Sequence, residues 1–162
     1  MAASHPRPPR AVFDQVARAF DLGPVRSVDR WGSGHIHDSF RLTSVGDAGP
    51  RGTLVQRVNE AVFPDVVPLM ASMERVTTHL RAHVLRRGEP DPARRVLTVL
   101  RTVEGEPCWR RPEDGSRWRA FPFVARTRTV DRVASPAMAR AAAMACAVFS
   151  GFQAVPTRAS TG

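Results

Sequence analysis

The fold is decided by the stretch Val25–Thr43, which reads VRSVDRWGSGHIHDSFRLT. Polar and apolar residues alternate in the runs before and after Gly32–Gly34, as is typical of two strands joined by a turn. Glycines leave the backbone N–H groups of such a turn uncovered, so the oxygens of a phosphate chain can approach them closely. The stretch therefore predicts a two-stranded hairpin whose turn covers the phosphates of a nucleotide.

The sequence on both sides of this hairpin predicts the rest of a small α+β layer. In chain order we expect a helix, three strands, a long helix, two strands and a last helix, over residues 11–20, 25–31, 36–43, 53–59, 65–87, 95–102, 117–124 and 136–152. Gly46–Gly52 is predicted to be a loop, and Pro107–Arg111 with the turn at 112–115 a hairpin insertion. The expected fold class is α+β: a five-stranded antiparallel sheet with one long helix inserted after the third strand, plus flanking helices.

The composition favours anionic ligands and excludes one phosphate-binding motif. The formal net charge is +9, and all 24 basic residues are arginines. Because lysine is absent, a Walker-type phosphate loop is excluded. A basic surface attracts phosphate groups, nucleic acid or an acidic partner protein. The arginines are scattered and aromatic residues do not interleave with them, so nucleic-acid binding is the less favoured of these interpretations.

Other classes of protein are disfavoured by the same sequence. No apolar run approaches the roughly 18 residues that span a bilayer. A secretory signal would require an apolar segment after Met1–Arg10, and the sequence has none there. The two cysteines and the five histidines do not form a set with the spacing of a metal site. We therefore expect a cytoplasmic protein with no metal site and no membrane contact.

Several motifs, in this order, resemble the N-terminal lobe of the kinase-like phosphotransferases. The resemblance is to the aminoglycoside phosphotransferase family, and within it to sugar kinases of the N-acetylhexosamine 1-kinase type. It spans about residues 20–153 and is carried by GSGHIHDSF at 32–40, LVQRVN at 54–59, VFPD at 62–65, Met70, Met73-Glu74, Val76-Thr77, His79-Leu80, TVEG at 102–105, WR at 118–119 and FSGFQ at 149–153. His37 departs from the pattern, since relatives usually carry Asn there.

The resemblance implies a site for ATP or another nucleoside triphosphate, with Mg²⁺ in a complete two-lobe enzyme. The backbone N–H groups of the turn would cover the phosphates, at Gly32, Ser33, Gly34 and His35. Gln56 takes the position of the strand-three lysine that pairs with phosphates in protein kinases. Since an amide carries no charge, Arg57 or another arginine would supply it.

Two more parts of the site are implied by the resemblance. Glu74 lies in the middle of the long helix, at the place of the ion-pairing glutamate of a kinase, so that Glu74 and Arg57 are the candidate ion-pairing residues. The backbone of a hinge edge after the last strand would receive the adenine ring, at Pro122, Phe123 and Val124.

The resemblance also implies that parts of the kinase machinery lie outside this chain. Phosphoryl transfer needs a base-like Asp, metal-binding carboxylates and a neighbouring Asn or equivalent, which the family takes from its C-terminal lobe. After Val124 the sequence has one acidic residue, Asp131, and no His or Asn. We therefore expect no catalytic residues, and a truncated phosphotransferase lobe that is inactive alone.

The expected organisation is a single lobe with flanking segments. Residues 1–10 and 154–162 are predicted to be disordered, residues 11–124 to form the kinase-like lobe, and residues 125–153 to form the hinge and first helix leading to a C-terminal lobe. A separately encoded C-terminal lobe is one expected partner, and self-association through the apolar face at 141–152 is another. The alternative function is a basic binding module for nucleic acid or an acidic partner protein.

Overall fold

The computed structural model describes residues 6–32, 36–46, 49–127 and 135–140. The chain divides into two units, Met1–Arg126 and Thr127–Gly162. In the first unit the helices and strands are α1 (Arg10–Ala19), β1 (Val25–Arg30), β2 (Asp38–Gly46), β3 (Gly49–Arg57), α2 (Val66–Arg86), α3 (Pro92–Arg95), β4 (Trp109–Arg110) and β5 (Arg117–Pro122). In the second unit residues 136–140 are helical. The rest of the predicted last helix, its apolar face and the tail lie outside the described residues.

The five strands form one antiparallel sheet in the order β1-β2-β3-β5-β4. The α+β class and the five-stranded antiparallel sheet predicted from the sequence are therefore confirmed. β2 and β3 pair from Asp38 with Arg57 to Gly46 with Gly49. The loop predicted over residues 46–52 is too long, because β3 already begins at Gly49. Apolar pairs nearer the middle of the two strands set the register, and the backbone pairing continues in that register to the strand ends.

The strand predicted at residues 95–102 is wrong. α3 ends at Arg95, and within the predicted strand Leu100 alone joins the sheet, through an isolated bridge to Ala120 of β5. The fourth strand of the sheet is instead β4, which comes from the predicted hairpin insertion. Residues 95–102 and β4 share the outer edge of β5, where Trp109 pairs with Trp118.

A local turn explains why β4 holds most of this edge. The connection from β4 to β5 is short, and the Arg111 N–H donates to the Ser116 carbonyl oxygen at 2.8 Å. Gly115, with a φ of 70°, takes the left-handed conformation that this turn requires. Closing a short loop costs less conformational entropy than closing a long one, so the hairpin forms in preference to a longer pairing with residues 95–102.

One face of the sheet packs against α1 and forms the main core. The helical spacing of α1 places Phe13 and Val16 on the same side, and both are at most 1% exposed. The Phe13 ring meets the rings of Phe40 and Trp118 edge-on, at centroid distances of 4.8 and 5.9 Å. This aromatic cluster fixes the positions of β2 and β5 relative to α1.

The opposite face of the sheet carries polar side chains and meets α2. Because side chains alternate along a strand, residues next to the core positions point away from α1. We call this surface the polar face and define it by Ser39, Arg41, Gln56 and Arg119. Met70 of α2 is fully buried against it, with its Sδ 4.0 Å from Arg119 Nη1. Of the described residues predicted to bind a nucleotide, Gln56 lies on this face, and Phe123 contacts it through Arg41.

Candidate functional site

The turn between β1 and β2 begins at Gly32, whose φ of 80° lies in the left-handed region. Glycine adopts this conformation without a steric penalty, so the residue type suits the position. Just before it, the Trp31 N–H donates to the Ser39 carbonyl oxygen at 2.9 Å and closes the described end of the hairpin. Outside the described residues lie the other predicted phosphate-covering residues, Ser33, Gly34 and His35.

Gln56 lies in register with Ser39 of β2 and Arg119 of β5, so three neighbouring strands place these side chains side by side. Gln56 Nε2 donates to Ser39 Oγ at 2.8 Å, and Gln56 Oε1 accepts a hydrogen bond from Arg119 Nε at 3.0 Å. Both ends of the amide are therefore engaged, and its orientation is set by two unlike partners. Sequence reasoning identifies Gln56 as a site residue but identifies neither partner.

Arg119 is buried, with 6% of its surface exposed. Its guanidinium carbon lies 5.5 Å from the centroid of the Phe121 ring. Burial lowers the pKa of Arg119 from its usual value, yet an arginine remains protonated at physiological pH. Among the described residues no carboxylate lies within 4.0 Å of its nitrogen atoms. The polar face therefore contains a buried positive charge that the described residues do not neutralise.

The two candidate ion-pairing residues, Arg57 and Glu74, each pair with a different residue. Arg57 Nη2 lies 2.6 Å from Asp38 Oδ2, and Arg30 Nη2 lies 3.0 Å from Asp38 Oδ1. Glu74 Oε1 lies 2.9 Å from Arg101 Nη2. Strand alternation explains the first pair, because adjacent residues of β3 point to opposite faces. Arg57 therefore points away from the polar face on which its neighbour lies.

The segment after β5 is predicted to receive an adenine ring through its backbone, at Pro122, Phe123 and Val124. The Phe123 N–H donates to the Gly52 carbonyl oxygen at 3.0 Å, and a proline has no N–H to offer. The ring of Phe123 meets that of Trp31 edge-on at 4.8 Å, and the Arg41 guanidinium carbon lies 4.5 Å from the Phe123 centroid. This segment therefore adds an aromatic side chain to the polar face, beside a cation.

His37, just before β2, contacts the segment that follows β3. Its Nδ1 accepts a hydrogen bond from the Asn59 N–H at 3.2 Å, and its ring stacks on Phe63 with a centroid distance of 5.3 Å. Burial lowers the pKa of His37, the charge of Arg119 lowers it further, and Asp38 opposes both. The neutral imidazole, which is the form able to accept the hydrogen bond, is therefore favoured.

Sequence reasoning does not identify Trp31, Arg41 and Arg119 as site residues. For Arg119 the sequence did contain a signal. Because side chains alternate along a strand, Arg119 points to the face of the sheet opposite to that of its neighbour Trp118, a core residue. What brings Arg119 beside Gln56 is the register between β3 and β5, which pairs residues 63 positions apart in the chain. A strand pattern fixes faces but does not fix the register between strands so distant in sequence.

Cys108 is half-buried outside the polar face, and burial raises the pKa of its thiol, which favours the unreactive protonated form.

In the part of the chain that the structure describes, no group of three or more His, Cys, Asp or Glu side chains is placed to hold a metal ion. Among the described helices, none combines the length and apolar character needed to cross a membrane. No known protein-family model matches the sequence.

Proposed function

We propose that this chain is the nucleotide-binding N-terminal lobe of an ATP-dependent kinase that acts on a sugar or an aminoglycoside-type substrate. One observation carries the proposal. The polar face carries Gln56 of β3 together with the Gly32 end of the β1–β2 hairpin and the Phe123 segment after β5. In kinase-like lobes the corresponding places contact the phosphates and the base. The long helix α2, which follows β3 and contacts the same face, supports this interpretation.

The two ends of the polar face suit the two parts of a nucleotide. At one end lie Phe123 and the Arg41 guanidinium, a ring and a cation against which a purine would stack favourably, and the Trp31 ring reaches them from the residue next to Gly32. At the other end the turn that begins at Gly32 would, by the resemblance, offer backbone N–H groups to phosphate oxygens. A nucleoside triphosphate would therefore lie across β1, β2 and β3.

Nucleotide binding and phosphoryl transfer are separate parts of this proposal. Transfer requires a base-like Asp and metal-binding carboxylates, and we assign these roles to none of the described residues. We propose that a C-terminal lobe supplies them, and that Mg²⁺ binds between that lobe and the triphosphate. This chain alone is then expected to bind ATP without releasing phosphate when N-acetylhexosamines are added.

Isothermal titration calorimetry with ATP tests the proposal. We expect weak binding of one ATP per chain. Leu54 is half-buried in β3 between the core positions Thr53 and Val55, on the side of the polar face. Leu54→Trp should therefore abolish binding by filling the space of the nucleotide. Leu85→Trp is the matched control, because Leu85 is 59% exposed on α2. No ATP binding by the folded protein, or equal binding by Leu54→Trp, would contradict the proposal.

The alternative function, a basic module for nucleic acid or an acidic protein, gives a different result in the same assay. Its affinity would fall steeply with salt, because each phosphate contact releases counterions. It would also be insensitive to Leu54→Trp, since the arginines that provide the charge are scattered over the chain. Tight, salt-sensitive binding of an oligonucleotide with no ATP binding would favour that alternative.

A further inference from the structure

We propose that Arg119 provides the positive charge that binds the triphosphate, and that Gln56 and Ser39 position it. The inference rests on the proposed function, which leaves open how a lobe without the strand-three lysine holds a highly charged ligand. The sequence offers Gln56 at that position, and Gln56 is neutral. The structure places a cation directly beside it, on the next strand of the sheet.

The burial of Arg119 is the first observation in support. A charge removed from water is costly unless a counter-charge or several hydrogen bonds compensate it. Arg119 is 6% exposed and has no carboxylate within 4.0 Å in the described residues. Of its five N–H donors, one reaches Gln56 Oε1, and Nη1 makes a long contact with Met70 Sδ. An anionic ligand would supply the compensation that the described residues do not.

The orientation of Gln56 is the second observation. Its carbonyl oxygen, which would repel a phosphate, points at Arg119, and its Nε2 donates to Ser39 Oγ. The contact holds the guanidinium through Nε, and among the described residues the Nη groups make only the long contact of Nη1 with Met70 Sδ. Two Nη donors in a fixed plane match two phosphate oxygens, which is the geometry that favours arginine at phosphate sites. Gln56 is therefore a positioning residue for the cation.

The neighbouring arginines are less suited to the role. Arg57 and Arg30 are held by Asp38, and Arg101 is held by Glu74. A phosphate would have to displace a carboxylate at each of these places. Arg41 lies over the Phe123 ring, at the end of the polar face proposed for the base. Among the described residues on this face, Arg119 is the cation that combines burial with the absence of a carboxylate partner.

The experiment compares ligands that differ in phosphate content. ATP, adenosine and inorganic tripolyphosphate are titrated into the wild type, Arg119→Met, Arg119→Lys, Gln56→Leu and, as a control at an exposed ion pair, Arg101→Met. We expect Arg119→Met to lose about 10- to 100-fold in affinity for ATP, because charged hydrogen bonds are lost. Adenosine binding should stay within about twofold, since the base contacts remain. Arg119→Lys should recover part of the affinity, and Gln56→Leu should weaken ATP binding to a smaller extent.

Melting temperatures of the same variants show whether a loss of ATP affinity comes from a lost phosphate contact or from a failure to fold. Tripolyphosphate should raise the melting temperature of the wild type and of Arg101→Met but not that of Arg119→Met. If Arg119→Met does not fold, Arg119→Lys and Gln56→Leu provide the comparison, and unchanged ATP affinity in both would overturn the inference. If the wild type binds ATP and Arg119→Met binds it equally, Arg119 is not the phosphate ligand although the proposed function stands. If the wild type binds neither ATP nor tripolyphosphate, both proposals fail.

Discussion

At the residue scale, His37 links the stability of the hairpin to pH. Its Nδ1 accepts the hydrogen bond of the Asn59 N–H, which holds the start of β2 near the end of β3. Burial, and then the charge of Arg119, lower the pKa of His37 in the folded protein, while Asp38 opposes the effect. The folded state therefore binds a proton at this site less readily than the unfolded chain does. Protonation would also remove the acceptor that Nδ1 provides.

The sign of the pH dependence follows from this difference. Near and below the unfolded pKa of about 6.5 the unfolded chain binds more protons than the folded protein. The stability that neutral His37 contributes is thus complete above this pH and is lost as the pH falls. Between about pH 7.5 and 5.5 we expect the melting temperature of the wild type to fall more than that of His37→Asn. Circular dichroism measures both, and parallel pH profiles would contradict the assignment.

The residues of the candidate site differ in how far the sequence predicts them. Gln56 is identified from its motif, and Gly32 from its place between two alternating runs. Arg119 is not identified, because an arginine in a strand is usually exposed and its burial depends on the pairing of β3 with β5. The ion pair of Arg57 with Asp38 is missed for a similar reason, since it joins neighbouring strands whose register the sequence does not fix.

At the scale of the elements, a close backbone contact fixes the turn between α1 and β1. Gly23 has a φ of 80°, and a Cβ placed on it would lie 2.4 Å from the Val45 carbonyl oxygen of β2. The Val45 N–H also donates to the Pro24 carbonyl oxygen at 3.1 Å. The turn therefore lies directly against the edge of the sheet, and a side chain at this position would force α1 and β2 apart.

Gly23→Ala tests this contact against a matched glycine. Gly88, after α2, has a φ of 63°, and a Cβ added to it would have no atom within 4 Å. Gly88→Ala should cost about 1 kcal/mol of unfolding free energy from backbone strain alone. Gly23→Ala should cost at least about 2 kcal/mol, because steric overlap adds to the same strain. Urea denaturation of both variants decides the comparison, and equal losses would show that the contact with Val45 does not constrain the turn.

The helices and the strands also differ in predictability. α1 and α2 are predicted to within one residue at each end, because the period of their apolar residues is a local signal. The fourth strand is predicted in the wrong place, since residues 95–102 have the composition of a strand. Their place beside β5 is taken mostly by β4, whose hairpin is closed by a local turn. When two segments compete for one sheet edge, tertiary packing decides which of them pairs. The strand propensity of each segment does not predict the outcome.

At the scale of the whole molecule, the sheet has an apolar face that forms the core and a polar face that is the candidate binding surface. The face that packs on α1 holds the fully buried residues Phe40, Val55 and Trp118. The polar face holds Gln56 and Arg119, which the strand register brings together. The order of elements, and so the fold class, follows from the sequence because alternation and turn residues are local. The set of residues on the polar face cannot be predicted in the same way, because it depends on how β2, β3 and β5 align.

The most direct measurement of nucleotide binding on the polar face is a ¹H–¹⁵N spectrum of the protein recorded during a titration with ATP. If a triphosphate binds there, the Gly32 backbone N–H, the Gln56 side-chain amide and the Arg119 Nε–H should shift together and saturate with one affinity. Residues of α1, on the other side of the sheet, should not respond. Binding on the polar face is contradicted if these three signals stay in place while ATP binds elsewhere, or if no signal responds to ATP.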